Sequence, residues 1–235
     1  GAGDGVKIDI DDKVYFPHSL GIYYMALTQF IGFYNWGDEY KVMGLAPYGK
    51  PIYLDEMRQI VRLMPNGKFE LNLNYFCHHK EKIEYVWKND SPSVKPLFTN
   101  KLENLLGPAR KRGEDLTQRH KDLAHSAQAM YEEAFFHILN SMHNKYNLDS
   151  IAIAGGCGFN SVANGKVLQN TPYKKLYVQA AAGDAGGAIG AAFTTWHKIG
   201  GEKAAQRGQS HDHAYWGPSF SDKYCDALLE KEKLK

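Results

Sequence analysis

Ser150-Ile-Ala-Ile-Ala154 runs without a break into Gly155-Gly156-Cys157-Gly158-Phe159-Asn160, and this junction decides the fold. The short apolar run reads as a strand of the buried, parallel kind. Two glycines turn the chain directly after it, and Asn160 opens a helix expected to reach about Gln169. The order then repeats, with Leu176-Tyr-Val-Gln179 as a strand and Ala180 to Asp184 as a turn. Ala185 to Ile199 follows as a helix carrying Gly186, Gly187 and Gly190. Strand, side-chain-poor turn and helix, twice in succession, make an α/β layout with helices packed on a sheet.

Upstream the pattern is mainly helical. Asp122 to Lys145 sets Leu123, Ala127, Met130, Ala134, Ile138 and Met142 on one stripe, and Asn147 ends the helix. Ser19 caps a helix expected to run to about Phe33, with Ile22, Ala26, Phe30 and Phe33 at helical spacing. A polar, glycine-rich stretch fills Asn35 to Pro51. Leu54 to Met64 reads as a helix closed by the Pro65-Asn66-Gly67 turn. Phe69, Leu71 and Leu73 alternate as a strand, and so do Val6, Ile8 and Ile10 within Val6 to Tyr15. From His78 to Gly113, where Pro92, Pro96 and Pro108 interrupt the pattern, a surface insertion with short elements is expected. Gly200 to Ser219 reads as a polar linker, and Ser221 starts a last, charged helix. The opening Gly1-Ala2-Gly3-Asp4-Gly5 resembles the middle of a glycine-rich turn, so the chain is expected to begin inside a fold and to come from a longer protein.

Composition narrows the function. The 235 residues suit one large domain or two small ones. Lys and Arg number 28 against 26 Asp and Glu, and no basic stretch is interleaved with aromatics, so nothing points to nucleic acid. The short run Ala109-Arg110-Lys111-Arg112 reads as a solvated loop or helix end. Cys77, Cys157 and Cys225 are odd in number and far apart, which points to a reducing, cytoplasmic compartment rather than a disulfide framework. No CxxC pair marks a structural zinc site, and no apolar run reaches the ~20 residues of a membrane helix. Neither a Gly-x-Ser-x-Gly elbow nor a P-loop is present.

Ligands of open α/β sheets bind where strands turn into helices. At Gly155-Gly156 the absent side chains allow backbone amides or a flat ring to approach, and the following helix start suits phosphate. Asn160 offers donors and an acceptor for a ribose hydroxyl or an adenine edge. Equally, the turn can need glycine only to pack helix on strand. In the second turn Asp184 is a lone carboxylate among small residues, either a helix cap or a ligand for a hard cation. His78-His79 and His211-Asp212-His213 lie in polar segments and read as solvated. His120 and His125, five apart, fall on different faces of a helix. Tyr131, Phe135 and Phe136 read as core packing.

Four segments resemble the carbamoyltransferase family of NodU, CmcH and TobZ type. They are Pro17-His-Ser-Leu-Gly-Ile-Tyr-Tyr24, Glu39-Tyr-Lys-Val-Met-Gly-Leu-Ala-Pro-Tyr-Gly49, Ala154-Gly-Gly-Cys-Gly-Phe-Asn-Ser-Val-Ala-Asn-Gly165 and Val178-Gln-Ala-Ala-Ala-Gly-Asp-Ala-Gly-Gly-Ala188. A fifth, His213-Ala-Tyr-Trp-Gly-Pro-Ser-Phe220, resembles the segment that closes the domain. The Lys41 to Gly49 part is the most specific.

The resemblance implies RNase-H-like lobes of the actin/Hsp70/sugar-kinase (ASKHA) superfamily, with an α-rich insertion at about 78–113. Residues 1–220 would be the C-terminal portion of that domain, and 221–235 a helix leading toward a YrdC-like domain. The implied reaction is ATP-dependent O-carbamoyl transfer. Carbamoyl phosphate and ATP give carbamoyl-adenylate in the YrdC-like domain, and the carbamoyl group then passes to a hydroxyl of a small-molecule or sugar acceptor. By similarity Gly155, Gly156 and Asn160 line the adenosine site, Gly21 lies near the nucleotide, and Asp184 is one ligand of a divalent metal, Fe2+. Lys41 is a candidate for anion binding. The family's paired histidine ligands and the aspartate of its Asp-Gly turn match nothing in this chain, so the isolated chain is expected to be inactive or to bind nucleotide weakly. Two other readings stay open: a relative of tRNA threonylcarbamoyl-adenosine transferase, which the Lys41 to Gly49 segment and the modest charge disfavour, and a nucleotide-binding module without chemistry.

Overall fold

The apolar stripe read from the sequence is the axis of the structure. It forms helix α5, Gln118–Tyr146, in which Leu123, Ala127, Met130 and Ala134 are fully buried. A capping box starts the helix, because Thr117 and His120 exchange hydrogen bonds. Asn147 ends it in a left-handed conformation at φ 50°. The computed structural model describes residues 10–88, 91–205 and 217–233.

Helix α1, Leu20–Phe30, lies against α5 and is buried on nearly every side. The Ser19 hydroxyl accepts the Ile22 N–H at 3.4 Å, as the cap reading requires. Tyr23 donates to the Ala127 carbonyl at 3.2 Å and Tyr24 to Gln128 Oε1 at 2.8 Å, so two buried phenols tie the helices together. The helix stops short of Phe33 because Gly32, at φ +92°, turns the chain.

Asn35 to Pro51 contains helix α2, Glu39–Leu45, and a 3-10 turn, Ala46–Tyr48. Gly49 follows at the closest approach to α5, where a Cβ would stand 2.0 Å from the Lys121 carbonyl oxygen. Lys50 N–H then reaches Asp122 Oδ1 at 2.8 Å, and His125 Nδ1–H reaches the Ala46 carbonyl at 2.9 Å. The end of the Lys41 to Gly49 segment is therefore a packing device.

Helix α3, Leu54–Ile60, ends four residues before the expected Met64. Val61–Leu63 instead forms strand β1, paired antiparallel with β2, Phe69–Leu71. Asn66 and Gly67 both adopt positive φ, which makes a tight hairpin and draws β-branched Val61 into pairing. Leu73 starts a 3-10 turn rather than prolonging the strand.

The 78–113 segment holds the antiparallel pair β3, Tyr85–Lys88, and β4, Ser91–Val94, followed by helix α4, Asn100–Leu106. It is more than a surface insertion, since Val94, Leu97, Leu102 and Leu106 join the main core. Gln29 of α1 anchors it by accepting the Leu97 N–H at 2.8 Å and donating to the Val94 and Lys95 carbonyls. His78 is likewise not solvated. It is buried, donates from Nε2 to the Pro17 carbonyl at 2.9 Å, and meets the rings of Phe16 and Phe76 edge-on.

Strand β5, Ser150–Ile153, pairs with β6, Lys175–Val178, in parallel as expected, with Ile151 opposite Leu176. Burial was expected and is only partial. Ile151, Ile153 and Leu176 pack on the core while the alternate residues are exposed, because only one face is covered. The helix expected from Asn160 to Gln169 is two short ones, α6, Ser161–Asn164, and α7, Val167–Asn170, broken at Gly165-Lys166. Each sheet among the described residues has two strands, so the molecule is α/β with small sheets.

This body ends at Gly187. A second compact unit, from Ala188 on, holds most of helix α8, Gly186–Ala205, and helix α9, Asp222–Lys231. The Ser221 hydroxyl caps α9 by accepting the Tyr224 N–H at 3.2 Å. Helix α8 continues past Ile199 into the expected linker. Residues 10–15 are exposed and form no strand. Val6, Ile8, His211 and residues 213–216 of the closing segment lie outside the described residues. No helix among the described residues is long and apolar enough to cross a membrane.

Candidate functional site

Gly155 is the pivot of the first corner. At φ 104° and ψ 168° it occupies backbone space that is almost exclusive to glycine. Its N–H donates to the Ala182 carbonyl at 2.7 Å, which joins the first corner to the second. A Cβ on Gly158 would lie 3.3 Å from Ala182 Cβ, and the Phe159 ring covers Gly183. The two side-chain-poor corners are thus neighbours on one body.

The starting turn of α1 borders them, since a Cβ on Gly21 would come 3.8 Å from Cys157 Sγ. Above Gly155 and Gly156 the space is open, with no atom within 4 Å of a Cβ built on either. Gly156 has neither the backbone geometry nor the crowding that would require glycine. Gly21, Gly155, Gly156 and the turn carrying Asp184 are therefore brought together, and Phe159 and Asp184 are exposed there.

Asn160 turns inward. Its Oδ1 accepts the Ala163 N–H and the Gln128 amide, each at 3.0 Å, and its Nδ2 donates back to Gln128 Oε1 at 3.0 Å. Gln128 also accepts from Tyr24 and donates to Glu132 at 2.9 Å, and Glu132 is ion-paired with Lys166 at 2.7 Å. A residue expected to face a nucleotide is instead part of a satisfied network behind the corner. Tyr131 adds a hydrogen bond to the Cys157 carbonyl at 3.1 Å. Burial pushes the Cys157 thiol and the Tyr131 phenol above their ordinary ranges, so both stay neutral.

Lys41 is not at the corner. Its Nζ pairs with Asp38 Oδ1 at 2.6 Å and sits over the Phe33 and Tyr40 rings at 5.6 and 5.7 Å. Glu39 and Met43 occupy a different face of α2, since each is two residues from Lys41 and four from the other. Met43 Sδ lies 3.8 Å from the Ser161 hydroxyl, next to Asn160. That face of α2 therefore meets the start of α6, just after the corner, and the Glu39 charge adds to the upward shift of the Cys157 thiol.

Glu39 was not singled out by sequence reasoning, although it opens the most specific segment. Burial holds its carboxyl above the ordinary glutamate range, and the nearby backbone N–H groups of Glu39 and Gly37 offset part of the shift. Gln128 was missed as well, since nothing in a helical stripe marks one polar residue as the partner of a distant asparagine.

Among the described residues no three of His, Cys, Asp and Glu come together in a way that would hold a metal ion. Asp184 offers one carboxylate, and the described residues do not by themselves fit a cation. A groove of about 1210 Å³ lies elsewhere, between residues 10–14, the 66–68 turn and the end of α5, and none of the candidate residues lines it.

The family model described as carbamoyltransferase N-terminus matches residues 2–193. The chain is 34% identical over 232 residues to the uncharacterized protein sll1178 of Synechocystis sp., covering 97% of this chain and 36% of that protein. It is 33% identical over 233 residues to the nodulation protein NolNO of Sinorhizobium fredii, covering 98% of this chain and 30% of the relative. The nodulation protein NolO of Bradyrhizobium diazoefficiens is 31% identical over 222 residues, with 93% and 36% covered. The chain spans about a third of the length of these relatives. With the family model matched over most of the chain and relatives aligned along nearly all of it, the chain belongs to the carbamoyltransferase family of NodU type.

Proposed function

We propose that this chain carries the donor-binding part of an ATP-dependent O-carbamoyltransferase, which passes carbamoyl from carbamoyl-adenylate to a hydroxyl of a small molecule or sugar. Carbamoyl phosphate and ATP are the sources of the adenylate, and its formation belongs to a separate YrdC-like domain. The reading includes an RNase-H-like lobe of the ASKHA superfamily. The observation that carries it is the open space above Gly155 and Gly156 beside the Ala180–Asp184 turn, in a chain of this family.

Each residue has a physical task. Gly155 shapes the turn and Gly156 leaves room for the adenosine. Gly21 lies in the first turn of α1, where unpaired amides and the positive end of the helix dipole favour phosphate. Asn160 holds the corner from behind through Gln128. Phe159 covers Gly183 and keeps the second turn in place. Adenylate is a good leaving group, so orientation and exclusion of water are the main demands on the protein.

The test uses the full-length protein with labelled carbamoyl phosphate, ATP and a panel of sugars and aminoglycosides. Gly156→Val should weaken ATP binding about tenfold or more, equivalent to roughly 1.4 kcal/mol, and leave the thermal midpoint unchanged because the space it enters is open. Unchanged affinity would move the nucleotide away from this corner. In the same assay Asp184→Ala reports on the exposed carboxylate of the second turn, and full transfer by that variant would leave it no part in the reaction.

A further inference from the structure

We infer that Glu39 is the general base that takes the proton from the acceptor hydroxyl. This assignment rests on the carbamoyl-transfer reading above and supplies the group that the glycine corners lack.

The placement comes from the fold. Glu39 is in the first turn of α2, on the face that Met43 shares one turn later, and Met43 meets Ser161 at 3.8 Å. The same face therefore meets the start of α6, directly after the corner that holds Gly155, Gly156 and Cys157, and Gly21 adjoins the Cys157 thiol. The adjacent carboxylates on this turn have separate fates. Asp38 is buried and neutralised by Lys41 at 2.6 Å, whereas no ion pair among the described residues engages Glu39. A half-buried carboxylate without a cation is free to accept a proton.

Its surroundings agree with that role. The titratable groups facing it are Asp38 on its own turn, Tyr24 on α1 and Cys157 at the corner, and the last two remain neutral. Burial lifts the Glu39 carboxyl above the ordinary glutamate range, which makes it a stronger base toward a hydroxyl than a solvated carboxylate.

The step balances without any further reactant. As the acceptor oxygen bonds to the carbamoyl carbon, its proton passes to the Glu39 carboxylate. The bond from that carbon to the phosphate oxygen breaks, and the adenylate leaves with the electron pair. The products are an O-carbamoyl ester and AMP, with the proton held on Glu39 until it returns to solvent.

The experiment is carbamoyl transfer by the full-length protein, read with labelled carbamoyl phosphate and ATP as ester on an aminoglycoside acceptor. ATP-dependent release of labelled CO2 reads transfer to water. Glu39→Gln preserves the shape of the side chain and removes its charge. It should lower kcat about 10²- to 10⁴-fold, with the KM for ATP and the thermal midpoint near wild type. The acid limb of the wild-type pH–rate profile should lie above the ordinary glutamate value of about 4.3 and be absent from the variant. Formate should restore part of the rate to Glu39→Ala, which a purely structural role would not allow. Wild-type kcat and an unchanged acid limb in Glu39→Gln would overturn the assignment while leaving carbamoyl transfer intact. If the wild-type protein transferred carbamoyl to neither acceptor, the functional reading would fail and the base with it.

Discussion

At the residue scale, the glycines of the first corner divide by what they must do. Gly155 needs its conformation, while Gly156 stands under open space with no such need. Gly155→Ala should therefore destabilise the fold by about 1–3 kcal/mol, the usual range for a side chain forced into this backbone region. A denaturant melt measures it, and an unchanged midpoint would mean the turn has a second conformation open to alanine. Asn160 illustrates what residue type alone cannot say. Its chemistry suits both a ribose and a buried amide pair, and the choice falls to Gln128, which lies 32 positions away in the sequence. Lys41 was drawn off in the same way by Asp38, at a distance of 2.6 Å. Glu39 passed unnoticed because its value depends on which face of α2 meets the corner.

At the element scale, the caps and the long stripe were legible. Ser19 and Ser221 act as caps, and Asn147 closes α5, because these interactions lie within a few residues of the helix end. His120 adds a titrating cap. Its Nδ1 accepts the Thr117 N–H at 3.0 Å, which requires the neutral ring, and burial together with Arg119 and Arg110 holds its pKa below the ordinary histidine value. The folded state therefore binds the proton less readily than the unfolded state. The stabilisation is present above the unfolded value of about 6.5 and is lost as pH falls from there through the folded one. Between pH 7.5 and 5 the thermal midpoint should drop more in wild type than in His120→Gln, whose amide oxygen can keep the cap. Parallel curves for the two proteins would show that His120 does not carry this dependence. Shorter elements depart from their periodicity where pairing outweighs it: Val61–Leu63 leaves the helical pattern for a hairpin, and Asn160 to Gln169 breaks at Gly165.

At the scale of the whole molecule, stability is unevenly distributed. The core gathers around α1 and α5, while β5 and β6 have one face exposed. Native-state hydrogen exchange should find the α5 amides around Met130 opening only with global unfolding, and the β5–β6 amides opening at lower free energy. Equal protection in both would contradict that picture. The sequence by itself determined the helical stripe, the caps, the strand-to-glycine corners and the family, because each is written in neighbouring residues or in a local motif. Only the tertiary structure decided that the two corners touch, that Asn160 faces Gln128, that Leu97 and Leu102 belong to the core, and that Met43 rather than Lys41 meets the start of α6. Those outcomes depend on contacts between residues tens of positions apart, and chain periodicity carries no record of which distant surfaces will meet.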